Sequence, residues 1–245
     1  MQSQYLVIDQ KSYYASVECV IRNMDPMKTN LKVADPDRSK NTICLAVPPS
    51  LKALGVKNRC RIKDIPSNIK YIVAPPQMQL YIDCAAEIHG VFLKHFAPQD
   101  IFTYSIDESF IDATPYLKMY NIPTRELAKR VIDDVYQTVG TISTCGIGTN
   151  MFLAKVALDI QAKHDPDFIA ELDENQYREK LWEHKPLTDF GELVMAPQSA
   201  FGTEELPQWA ALPTVTSTGF TIGSESMANS FTIMGGDVNP RLLLM

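Results

Sequence analysis

The segment that most constrains this chain is YSIDESFID, residues 104–112. An apolar-leaning run enters it, Asp107 and Glu108 interrupt it, and an alternating run leaves it. That pattern fits two strands joined by a tight turn, with the carboxylate pair at the bend. Adjacent carboxylates repel each other, and burying both is costly unless a cation lies between them. A divalent metal answers that need, and oxygen-only ligands favour Mg²⁺ or Mn²⁺. The alternative is a polar hairpin tip facing water, which is the commoner arrangement for such a pair taken alone.

A second segment shifts the balance. Residues 5–18 read YLVIDQKSYYASVE. Leu6, Val7 and Ile8 form a short apolar run suited to a buried central strand. Asp9 ends that run, so its carboxylate emerges at the carboxyl edge of a sheet, where sites of α/β proteins usually lie. Beyond it Tyr14, Val17 and Ile21 recur at helical spacing and are expected on one stripe. One carboxylate at a strand end beside two at a neighbouring hairpin tip is the arrangement that two-metal phosphoryl transfer requires.

Punctuation and period organise the rest. Residues 24–75 contain Asp25-Pro26, Asp35-Pro36, Pro48-Pro49 and Pro66, so helices there must be short. This part is basic, with Lys52, Lys57, Arg59, Arg61 and Lys63 close together. Such a cluster is either a solvated face or a contact for phosphates. Residues 78–96 predict a helix that buries Met78, Tyr81, Ile82, Ala85, Ile88 and Phe92. Residues 101–104 predict a strand, and Thr124 caps a predicted helix of about 14 residues. Residues 141–147 predict another strand, and 148–150 open a helix running to about Lys163. The fold class is therefore α/β (α+β), a ferredoxin-like split βαβ sheet with the loop-rich segment inserted. It sets the Asp9 strand beside the carboxylate hairpin.

Composition narrows the setting. No run approaches the ~20 apolar residues of a membrane span, and no signal-peptide pattern is present, so a cytoplasmic location is expected. Five scattered cysteines without CxxC spacing suit reduced thiols, with neither a zinc site nor a disulfide framework. The formal net charge of −6 argues against a simple basic DNA-coating protein.

IDQKSYYASVE and YSIDESFIDAT together resemble the Y-family, or lesion-bypass, DNA polymerases of the UmuC/ImpB group. TCGIGTNMFLAKVA (144–157) is similar to that family's S-x-G-I-x-x-N-x-x-L-A-K-x-A. PPQMQLY (75–81) is similar to its P-x-M-x-x-Y. The blocks stand in the family's order and cover residues 5 to about 190. The resemblance implies a palm at 1–23 and 76–185, fingers at 24–75, and the start of a thumb with an aberrant tail at 186–245. It implies template-directed addition of deoxynucleotides to a primer, with two Mg²⁺ ions, or Mn²⁺, on Asp9, Asp107 and Glu108 as the catalytic and metal residues. It also implies nucleotide contacts from Tyr13, Tyr14, Lys52 and Lys163. Tyr14 matches the family's steric gate against a 2′-hydroxyl, and Lys163 would face the β- and γ-phosphates. For Lys163 a helix C-terminus that favours a cation is the other explanation. Many relatives carry a Tyr three residues before the basic position at Lys52; here it is Pro49, and Lys in place of Arg loses a bidentate fork. Implied partners are primer–template DNA, deoxynucleoside triphosphates and, for a full-length parent, a sliding clamp in an SOS-type response; no membrane is involved.

After Phe190 the sequence leaves the family pattern. The family continues Trp-x-Ile/Val-Gly into a thumb, whereas this chain reads GELVMAP (191–197). The tail holds six of the eleven glycines and no sustained period, so it is expected to be poorly structured. If Leu193 is encoded by TTG, restoring one T before the Gly191 codon yields Trp, Arg or Gly, Ile or Val, then Gly. The expectation is a single-base deletion after codon 190, leaving a truncated polymerase with weak or no activity. Two other readings stay open: a non-catalytic DNA-repair remnant or DNA-binding regulator, and another two-metal palm enzyme such as a nucleotide cyclase.

Overall fold

A computed structural model describes residues 2–35, 39, 41–58, 60–185, 214–216 and 219–221. The expected thumb start, most of the expected out-of-frame tail and Arg59 lie outside the described residues; within that tail, expected to be poorly structured, Thr214–Thr216 and Gly219–Thr221 form a short antiparallel strand pair. The described residues divide into two compact units, those within 1–9, 95–132 and 144–245 in one and those within 10–94 and 133–143 in the other.

The first unit is built on a five-stranded sheet. Its strands are β1 (Tyr5–Gln10), β4 (Ile101–Thr103), β5 (Glu108–Asp112), β6 (Ser143–Gly148) and β7 (Ile169–Leu172), in the order β4-β5-β1-β6-β7. The first four give the ferredoxin-like order that the split βαβ pattern predicts. β7, parallel to β6, extends the edge and was not foreseen. Leu6, Val7 and Ile8 are almost wholly buried, as a central strand demands. Phe110, Val7 and Tyr5 pack with the helix after β6 and with Tyr177 of a later helix (Glu174–Lys180) to form the core.

The helix following β6 is not the single α-helix expected from 148 to 163. It runs as α-helix over Met151–Val156, widens into a π turn over Ala157–Gln161, and tightens to 3₁₀ over Ala162–His164. Asn150 caps it, its side chain accepting from the Leu153 N–H at 2.8 Å. β6 presses closely on it. A Cβ at Gly146 would collide with the Ala154 carbonyl and Leu158 amide, and one at Gly148 with the Ala154 amide. Apolar period alone does not report that backbone approach, but the two glycines do.

The second unit holds α1 (Tyr13–Val20), β2 (Leu31–Val33), α2 (Pro49–Ala53), β3 (Ile72–Ala74) and α3 (Met78–His95). β2 and β3 pair in parallel, and a small core of Ala34, Cys44, Val47, Leu51, Val56 and Ile65 packs there. As expected, the helices of 24–75 are short; Pro49 opens α2 at a first-turn position that tolerates it. Two expected faces need correction. Ile21 is exposed because α1 ends at Val20 and the chain turns away through Asn23, whose φ is 54°. Met78 and Ile82 are also exposed, since the buried arc of α3 centres on Tyr81, Ile88, Val91 and Phe92. No helix among the described residues is long and apolar enough to cross a membrane.

Candidate functional site

β1 and β5 pair antiparallel with Asp9 opposite Glu108. Two carboxylates thus reach the same end of the sheet, because Asp9 stands near the end of β1 and Glu108 opens β5. Asp107 stands in the bend between β4 and β5, where the Tyr104 and Ser105 N–H groups donate to the Glu108 carbonyl at 2.9 and 3.1 Å. The Ser105 hydroxyl donates to Asp107 Oδ1 at 2.7 Å and fixes that carboxylate. Phe110 packs edge-on to Tyr104. The Thr144 hydroxyl, at the start of β6, donates to the Asp9 carbonyl at 3.2 Å.

Positive charge comes from the helix after β6. Lys155 Nζ lies 2.7 Å from Glu108 and 3.3 Å from Asp159. Lys163 Nζ lies 2.7 Å from Asp159 and 3.4 Å from Asp9. The result is an alternating ladder, Glu108–Lys155–Asp159–Lys163–Asp9. The Glu108, Lys155 and Asp159 side chains are at most 10% exposed, and the Lys163 side chain is 37% exposed. Asp159 is the member that sequence reading missed. Its spacing of four from each lysine was a usable signal, because residues i and i+4 meet on one helix face.

Burial strains these acids electrostatically. It raises the Asp9 carboxyl, with Lys163 opposing and Asp107 adding to the rise. It pushes Glu108 up to about 7, outweighing Lys155, with Asp9 adding repulsion. For Lys155, burial disfavours the charge, but Glu108 and Asp159 outweigh it and hold the ammonium above its usual range. Lys163 is raised likewise, Asp9 and Asp159 overcoming burial.

Asp9, Asp107 and Glu108 offer only oxygen donors and carry more negative charge than two lysines neutralise once Asp159 is counted. That donor set fits a hard divalent cation. Among the described residues no three His, Cys, Asp or Glu are gathered closely enough to enclose an ion. The lysine ammonium groups supply the positive charge there.

The other sequence-selected residues belong to the second unit. The Tyr13 hydroxyl donates to the Tyr81 carbonyl at 2.6 Å. The Tyr14 ring lies 4.6 Å from that of Tyr81, tilted by 32°. The Tyr81 hydroxyl donates at 2.6 Å to Glu18, a fully buried carboxylate that also pairs with Arg22 and accepts from Gln77 Nε2 at 3.1 Å. Burial, followed by that hydrogen bond, holds the Tyr81 hydroxyl well above its usual range. Lys52 sits on α2, and its Nζ donates to the Ser12 hydroxyl at 3.3 Å. Ser12, at φ 49°, donates in turn to the Val47 carbonyl at 3.0 Å.

Comparison with known proteins gives a consistent result. The sequence model of the impB/mucB/samB family matches residues 8–159. A Bacillus subtilis (strain 168) protein named for UV-damage repair, UvrX, is 34% identical over 184 residues, covering 75% of this chain and 43% of its own length. DNA polymerase IV 2 of the same organism is 31% identical over 180 residues, covering 72% of this chain and 42% of its own length. The chain therefore spans less than half of these curated relatives. Among solved structures, DinB from Sulfolobus solfataricus superimposes with a TM-score of 0.62 at 20% identity, over 78% of this chain and 55% of that one. An insertion ternary complex of Dbh DNA polymerase gives 0.63 at 22% identity, over 78% and 55%. At those identities the likeness is one of fold.

Proposed function

The chain belongs to the impB/mucB/samB family, and from that premise we propose that its described residues are the nucleotidyl-transfer part of a lesion-bypass DNA polymerase. One observation carries the reading: the pairing of Asp9 with Glu108, beside Asp107, places three carboxylates at one sheet end faced by two lysines. The reaction is attack of a primer 3′-oxygen on the α-phosphorus of a deoxynucleoside triphosphate, with the bond to pyrophosphate breaking in line.

Asp9 and Asp107 would hold two Mg²⁺ ions, with Mn²⁺ as a substitute, and Glu108 would complete the set and orient the 3′-hydroxyl. The ions would lower the pKa of that hydroxyl and neutralise the charge that develops on the phosphates. Lys163 is the most exposed member of the ladder, and it would exchange Asp9 for the β- and γ-phosphates, as a point charge can. Lys155 stays on Glu108 and Asp159 and keeps those carboxylates in place. Lys52 and Tyr13 would contact the triphosphate and its sugar, and Tyr14 would exclude a 2′-hydroxyl. The palm would comprise 1–23 and 76–185, and the fingers 24–75. Primer–template DNA and deoxynucleoside triphosphates are the substrates, in a cytoplasmic, SOS-type damage response that can include a sliding clamp.

The test is single-nucleotide insertion on a primer–template by the full 245-residue chain, with and without Mg²⁺ or Mn²⁺. Weak, template-matched, metal-dependent insertion that disappears in Asp107→Ala is the expected result. Nucleotide turnover without DNA would support the cyclase reading. DNA binding that is indifferent to Asp107→Ala, with no insertion by any form, would support the non-catalytic one. In the active chain Tyr14→Ala is expected to admit ribonucleotides, and unchanged sugar discrimination removes that role from Tyr14.

A further inference from the structure

Two thiols of the second unit face each other across an isolated antiparallel bridge. Ile43 pairs with Arg61, which sets Cys44 directly opposite Cys60. The Cys44 N–H donates to the Cys60 carbonyl at 2.8 Å. Residues opposed in this way have Cα atoms about 4.5–5.5 Å apart and side chains on one face. A disulfide spans about 4.4–6.8 Å between Cα atoms, so the backbone need not move to admit one. Cys44 is fully buried and Cys60 partly exposed, and both pack in the cluster around Val47 and Leu51.

The surroundings are unusual for a plain core. Lys32 is fully buried on β2, and among the described residues its Nζ has no hydrogen-bond partner; it lies 4.1 Å from the centre of the Tyr71 ring. Burial, then the neighbouring Cys60 thiol, pushes Cys44 up to about 11, and the Lys32 ammonium acts the other way, toward the thiolate.

We propose that Cys44 and Cys60 are a reversible redox pair that closes to a disulfide when the protein meets a peroxide. The Cys60 thiol, the accessible one, loses its proton and its sulfur attacks a peroxide oxygen. The O–O bond breaks, water leaves and Cys60 carries a sulfenic acid. Cys44 Sγ then attacks Cys60 Sγ, the S–O bond breaks and a second water leaves. Two thiols are oxidised and one hydrogen peroxide is reduced to two waters; a dithiol reductant reverses the change. The segment so closed carries α2 and Lys52. The inference stands on this unit's geometry and does not depend on the polymerase reading.

The experiment treats the 245-residue chain with hydrogen peroxide, alkylates the remaining thiols under denaturing conditions and maps the peptides by mass. The expected product has lost two hydrogens, links the peptides of Cys44 and Cys60, leaves Cys19, Cys84 and Cys145 alkylated, and reverts with dithiothreitol. Cys44→Ser is expected to stop at a Cys60 sulfenic acid that a dimedone probe traps. Lys32→Met is expected to form the same bridge several-fold more slowly; an unchanged rate removes Lys32 from the proposal. Oxidation of wild-type Cys60 to the sulfinic acid with Cys44 still alkylated overturns the pair, as does a bridge through any other cysteine. Should Cys44→Ser fail to fold, the wild-type map decides the matter by itself.

Discussion

Each unit of this protein buries a glutamate, and the two are treated differently. Glu18 is enclosed by Arg22, the Tyr81 hydroxyl and the Gln77 amide, short neighbours that fill its acceptor sites from several directions. Glu108 meets one lysine, which it shares with Asp159, and it faces another acid across the strand pair. The first carboxylate is saturated and closed. The second is left short of positive charge, in a cluster whose outermost cation is more than a third exposed. Burial alone therefore does not mark a site. What marks it is an acid cluster whose partners are too few and are held by side chains able to leave.

That contrast can be broken at either end. The largest effect belongs to the open cluster. Asp9→Asn is expected to lower single-nucleotide insertion by about 10³-fold or more, the scale of removing a charge-stabilising group from a reacting centre. Its thermal midpoint is expected to hold or rise, because a buried, repelled charge is removed. A large loss of stability with insertion intact would make Asp9 a structural residue. Next in size is the closed cluster. Glu18→Ala strands the Arg22 guanidinium and the Tyr81 hydroxyl, and should cost about 3–5 kcal/mol of stability in chemical denaturation. A cost below about 1 kcal/mol would mean that Glu18 is no better satisfied than Glu108.

Much of this contrast was legible in the sequence, but unevenly. Asp9, Asp107 and Glu108 could be read because each interrupts an apolar run at a strand end, and a sheet brings strand ends together. Lys163 stood out by position, yet Asp159 was passed over, although it is four residues from each lysine of the ladder. Glu18 carries no such strand-end signal. Its partners Gln77 and Tyr81 lie some sixty residues away, and no local pattern announces them. The π turn at Ala157–Gln161 escaped because a 3.6-residue period and a locally widened one differ too little over five residues. Ile21, Met78 and Ile82 share the helical period of buried neighbours yet are exposed, because period fixes the direction of a helix face and not its width or end.

The smallest effect separates the clusters without asking for catalysis. Burial lifts Glu108 from an ordinary 4.5 to about 7, with Lys155 only partly opposing. Between those values the native protein holds a proton that the unfolded chain has released. Unfolding free energy then falls as pH rises through that window, because the native state binds more protons there. Over the whole window the change is about 3 kcal/mol at most. Asp9, also raised, acts with the same sign. Denaturation midpoints taken without divalent metal should therefore decline from pH 4.5 to pH 7. Glu108→Gln should shrink that decline to the part that Asp9 contributes, since the variant has no Glu108 proton to lose. Saturating Mg²⁺ at the alkaline end should restore stability to wild type, because an ion that binds only the folded state shifts the equilibrium toward it. It should do so far less in Glu108→Gln, where one donor is neutral. A decline as large in Glu108→Gln as in wild type, or Mg²⁺ stabilisation equal in both proteins, would place the unbalanced charge elsewhere and erase the distinction between the open cluster and the closed one.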